Sequence, residues 1–197
     1  MNIPGELMKK LLAACTAVLL SATGAAGAQE LPQYESTGTI ELAIDGKQAK
    51  YHSTSNTVPG QPGRLVHTAN WRTFPPMMLG GINMAPKGIM LSITARPTVE
   101  PDPSAPQLKI TFSLDEKDYS LLDATPFEVI YTIKEGRQAG DYQHASGTLE
   151  IESATLEGDV LHVVGKAKGA LAPAKNKNGS GPTLNYEANF NVRAPKH

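Results

Sequence analysis

The chain predicts a single antiparallel all-β domain, a β-sandwich of about eight to nine strands, behind a cleaved secretory leader. The first observation is the closing stretch, residues 183–193. There Leu184, Tyr186, Ala188, Phe190 and Val192 alternate with Asn185, Glu187, Asn189, Asn191 and Arg193. A strict period of two is what a strand with one buried and one wet face produces. The second is that the same alternation recurs between turn signals spaced as in sandwiches and barrels. The third is that no stretch beyond the leader carries a convincing helical pattern. A lipocalin-like closed β-barrel satisfies the same evidence of periodicity, because alternation does not fix strand order.

The first residues read as an address. Lys9 and Lys10 precede an apolar run at 11–20, and small residues follow, ending in Ala26-Gly27-Ala28. This is a signal-peptide pattern with cleavage after Ala28, and it predicts a periplasmic or secreted bacterial protein. The apolar run is short of the roughly 20 residues that a membrane span needs. Leu12-Ala13-Ala14-Cys15 matches a lipobox by residue type. A lipobox cysteine closes the apolar run, however, and here much of the run comes after it.

Cleavage leaves a flexible lead-in at 29–35 and one β domain at 36–195. Loss of Lys9, Lys10 and Glu6 takes 18 basic and 19 acidic residues to 16 and 18. So near-neutral a balance argues against nucleic acid or an anionic membrane surface as partner. The only cysteine leaves with the leader, so the mature chain has no disulfide, thiolate nucleophile or thiolate ligand.

In order, Ile40, Leu42 and Ile44 mark the first strand and Ala49 and Tyr51 the second. Asp45-Gly46 between them is a strong hairpin signal. Residues 57–63, with Pro59-Gly60 and Pro62-Gly63, read as a loop. Residues 64–73 read as one strand with Leu65, His67, Ala69 and Trp71 on a shared face. Ile89, Leu91, Ile93 and Ala95 give the next, followed by a proline-rich connection. Leu108, Ile110, Phe112 and Leu114 form another, before an acidic turn at 115–123. Phe127, Val129, Tyr131 and Ile133 follow, then a polar loop at 135–144. Leu149 and Ile151 lie on a short strand, and Leu161, Val163, Gly165 and Ala167 on one after the Gly158-Asp159 turn. A basic loop at 175–181 leads into the closing strand.

Residues 74–86 break the rule that connecting loops are polar. They carry no charge, three prolines, two glycines and the apolar Phe74, Met77, Met78, Leu79, Ile82 and Met84. The segment follows Trp71. An apolar lip of this kind either caps the core or meets a partner, and Met and Trp suit contact surfaces. The expected contact residues are Trp71, Met77, Met78 and Met84. The expected partner is a protein, an envelope component or a small apolar ligand.

Other chemistries are weaker. Met77, Met78, Met84 and Met90 with His67 offer soft ligands for copper, but without regular spacing, so no metal or cofactor is expected. Asp115, Glu116, Asp118 and Asp123 lack the EF-hand glycine and closing glutamate. Asp141, His144 and Ser146 sit too close in sequence to orient a hydrolytic triad, and no nucleophile elbow is present, so no catalytic residue is assigned. The reading is a binding module rather than an enzyme, with a hydrolase or a copper-handling protein as alternatives.

Overall fold

The computed structural model describes residues 31–79, 82–85, 87–122, 126–135, 139–174 and 181–197, with only the backbone described at 62, 77–79 and 82–85. The leader at 1–28 and its cleavage after Ala28 lie outside the described residues. The strands are β1 (Tyr34–Ile44), β2 (Lys47–Val58), β3 (Gln61–His67), β4 (Ala69–Phe74), β5 (Met77–Leu79) and β6 (Ile82–Ala85). They continue as β7 (Gly88–Ala95), β8 (Gln107–Asp115), β9 (Glu128–Ile133), β10 (Gly140–Glu157), β11 (Val160–Pro173) and β12 (Leu184–Pro195). Among the described residues no helix is long and apolar enough to cross a membrane.

Ten strands form one antiparallel sheet in the order β3-β2-β1-β12-β11-β10-β9-β8-β7-β4, while β5 and β6 pair only with each other. The two layers expected of a sandwich are thus two halves of one continuous sheet, curled into a half-barrel. Several strands have the cause predicted for them. Asp45 and Gly46 take positive φ values of 47° and 78°, as the tight turn between β1 and β2 demands. Along β12 the residues from Leu184 to Ala194 alternate buried and exposed without a break.

Several strands differ from the sequence reading. Residues 61–74 make two strands rather than one, and although consecutive they lie at opposite edges of the sheet. Thr68 is the corner between them. Its N–H donates to Thr54 O at 2.8 Å, and its carbonyl accepts from Thr94 N at 2.7 Å. Only Pro59-Gly60 is the turn before them. The second difference is β10, which starts at Gly140 inside the expected loop because Tyr142 pairs with Tyr131 and is wholly buried. β1 likewise begins within the expected lead-in, with Tyr34 opposite Asn56.

The curl is held where distant strands meet. His52 and Arg96 exchange backbone hydrogen bonds of 2.7 and 3.1 Å, which join β2 to the end of β7. The indole N–H of Trp71 donates to Asp159 O at 3.1 Å, and His197 N donates to Trp71 O at 2.8 Å. The interior between the halves is filled with side chains. Phe112 of β8 meets Phe190 of β12 at 5.9 Å between ring centroids. Opposite Phe190 stands Gly165, where a Cβ would come within 2.7 Å of the Phe190 ring and 2.6 Å of Glu150 O. Glycine is the residue that lets the large ring lie flat over its neighbour strand.

Candidate functional site

At the end of the half-barrel marked by the Asp45-Gly46 turn, the inner face opens. Alternation puts Leu42 and Ile44 of β1 and Ala49 and Tyr51 of β2 on that face. Tyr131 and Ile133 come from β9, four places along the sheet from β1, and Leu184 begins β12. Together they enclose a cavity of about 290 Å³. Its floor is desolvated, since Leu42, Tyr51 and Leu184 are under 5 % exposed. Asp45, Lys47 and Gln48 form an exposed rim.

The polar feature of the floor is a pair of phenols. Tyr51 Oη lies 3.3 Å from Tyr131 Oη. Burial first, and then the hydrogen bond with Tyr131, push the Tyr51 hydroxyl well above the usual phenol range. The Tyr51 hydroxyl is therefore a neutral donor and acceptor at physiological pH. On the rim, Asp45 accepts from Asn185 N through Oδ1 at 2.8 Å. Lys47 has no ion-pair partner among the described residues. Apolar walls, two hydroxyls and one cation can hold an amphipathic molecule by its body and its head.

A larger depression, about 390 Å³, lies elsewhere, on the outward face of β1, β2 and β12. Glu41, Gln48, Lys50, Glu187 and Asn189 line it and all are exposed, so it offers no water-excluding wall.

Trp71 is placed in the core at 4 % exposure, with its N–H bonded and the Lys196 ammonium 5.2 Å above its ring centroid. A shared face with Ala69, which is fully buried, explains this. Met77, Met78 and Met84 are on the β5–β6 hairpin, which extends from the β4–β7 pair beyond Phe74 and Gly88. Their side chains lie outside the described residues. The structure thus does not bring Trp71 to a surface with which they could combine.

The other candidate groups are also separated. Asp141 Oδ1 accepts from Thr132 Oγ1 at 2.7 Å on the face opposite Tyr142. His144 faces inward, with Nδ1 3.1 Å from Tyr186 Oη and its ring 4.4 Å from that of Phe127. Burial lowers the His144 pKa below the ordinary value, and burial raises Tyr186 to about 12. Asp141 and His144 therefore form no dyad. His67 has a buried Nδ1 without a partner among the described residues, and desolvation lowers its pKa. Asp115 and Asp118 spend Oδ1 on the N–H groups of Lys117 and Ser120, closing local turns. Among the described residues no three His, Cys, Asp or Glu side chains gather around a common point.

Sequence reasoning missed the mouth. Tyr51 and Tyr131 each looked like one more inward residue of an alternating strand. No local signal pairs them, because they meet only through the curl of the sheet. No family model, curated protein or solved structure matches the chain.

Proposed function

We propose that this is an exported bacterial domain that works by binding a small amphipathic molecule in the mouth between β1, β2 and β9. The observation that carries the reading is the cavity whose apolar walls end on the Tyr51–Tyr131 hydroxyl pair. Its volume stands near the lower end of small-ligand sites, about 300–1000 Å³. The apolar body lies against Leu42, Ile133 and Leu184, and an anionic head is met by Lys47. Neutral phenols suit a carbonyl or hydroxyl within the body, since a charged group there would lose its hydration without a counter-ion.

The test is a titration of the mature chain with octanoate, followed by amide chemical shifts. Saturable changes at Ile44, Ala49 and Ile133 are expected, and Ala49→Trp should abolish them by filling the mouth. Ala49 is exposed at the opening, so the added ring meets no packed neighbour there. Binding that survives Ala49→Trp would place the ligand elsewhere.

A second reading rests on the β5–β6 hairpin, an uncharged two-stranded sheet that pairs with no other strand. In it, Met77, Met78 and Met84 contact a protein or envelope partner. Serine at each position should lower partner recovery from envelope extract while leaving the unfolding midpoint in place. A large loss of stability with unchanged recovery would make the hairpin a core cap.

A further inference from the structure

We propose that the seam between β2 and β7 is an oxyanion site, which takes the phosphate or carboxylate group of a small ligand. The seam is on the outward face of the half-barrel, away from the mouth. His52 and Arg96 sit directly opposite one another in a hydrogen-bonded pair, so their side chains rise on the same face. Alternation adds Thr54 on the β2 side and Thr94 on the β7 side, and Thr98 of the bend after β7 lines the same cleft. Thr68, at the corner between β3 and β4, links the two strands by backbone hydrogen bonds to Thr54 and Thr94.

These groups line a cleft of about 110 Å³ in which no acidic side chain takes part. A water molecule occupies about 30 Å³ in the liquid, so the cleft has room for one phosphate or carboxylate group and not for a whole metabolite. The half-buried Arg96 guanidinium has no carboxylate partner among the described residues. An arginine so placed presents a donor fork matched to an oxyanion. The hydroxyls of Thr54 and Thr94 likewise have no protein partner among the described residues, and Thr54 is only 8 % exposed. Thr68 Oγ1 is taken by Thr54 N at 2.7 Å, which fixes the corner without consuming the other two hydroxyls. His52 is anchored through Nδ1 to Ser36 Oγ at 3.3 Å, and Nε2 has no protein partner among the described residues. An arginine and two threonine hydroxyls lining one cleft, none with a protein partner among the described residues, offer the donors that an oxyanion takes.

The experiment is amide chemical-shift titration of the mature chain with sodium phosphate and, separately, sodium acetate, against sodium chloride at matched ionic strength. Saturable shifts at His52, Thr54, Thr68, Thr94 and Arg96 are expected with at least one of the two anions and absent with chloride. The anion that saturates distinguishes a tetrahedral from a planar group. Arg96→Gln should weaken that binding by about 10-fold or more, the scale of a hydrogen bond to a charged group. Thr94→Val supplies the same test should Arg96→Gln unfold, because its hydroxyl holds no part of the protein. Shifts that grow linearly with both anions, or saturation unchanged in the variants, would overturn the site.

Discussion

The phenol of Tyr51 lies 3.3 Å from that of Tyr131, although 80 positions separate them in the chain. The curl of the sheet makes the contact, so the contact in turn reports on the curl. Tyr131→Phe leaves the Tyr51 hydroxyl buried without its partner and should cost about 1–3 kcal/mol. Tyr51→Phe should cost a similar amount. The double variant should lose less than the sum, because it strands neither group. Chemical denaturation of the four proteins gives the coupling. Strictly additive losses would mean that the two hydroxyls do not interact in solution.

Trp71 carries three attachments at once: a buried ring, the bond from Nε1 to Asp159 O, and the backbone bridge to the C-terminus. Trp71→Ala should destabilise by about 3–5 kcal/mol, as removal of a large buried aromatic does. Trp71→Phe keeps most of the burial, and Asp159 O keeps its bond from Lys196 N, so it should cost markedly less. An alanine variant as stable as the parent would return Trp71 to the surface, where the apolar segment beside it first suggested it belonged.

The closing strand was legible because a single period ran through it undisturbed, and each neighbour could be inferred from its need for partners. The stretch at 140–147 was not legible. Gly140, Asp141, Gln143, Ser146 and Gly147 hide the alternation, and only Tyr142 and His144 point inward with chemistry that shows. What makes them a strand is β9 on one side and β11 on the other, a tertiary cause that no local pattern carries. The break at Thr68 was hidden for the opposite reason. Leu65, His67, Ala69 and Trp71 keep perfect alternation through a corner that sends the chain to the other edge. The mouth and the anion cleft share this character, since each is assembled from strands far apart in sequence. The apolar hairpin was visible from composition alone, which marks a segment as unusual without saying what it touches.

The closing strand also yields the sharpest test of register. Phe190 is 2 % exposed and packs on Phe112, while Asn189 faces out. Phe190→Ala should cost about 3–5 kcal/mol, and Asn189→Ala less than about 0.5 kcal/mol. A one-residue slip would exchange the two faces, so equal losses measured by urea unfolding would refute the register.

His144 and His67 make stability depend on pH in a defined direction. Desolvation holds both below the ordinary histidine value of 6.5 in the folded chain. As pH falls through that value, the unfolded chain takes up protons that the folded chain still refuses. The unfolded state then binds more protons, and stability falls with falling pH. The contribution is complete above the unfolded pKa and is lost below it. The neighbours do not reverse this sign. His144 faces Phe127 and the neutral Tyr186 phenol, and Asp141 bonds to Thr132 on the other face. Asp102 and Asp118, lowered chiefly by hydrogen bonds from the Ser104 and Ser120 side chains, act only at more acid pH. Thermal unfolding between about pH 7.5 and about pH 5 should therefore show a falling midpoint. His144→Gln can keep a hydrogen bond to Tyr186 without a titrating ring, and it should flatten the profile in part. His67→Gln should remove more of the slope in the double variant. A double variant that retained the full slope would assign the pH dependence to groups other than these two histidines.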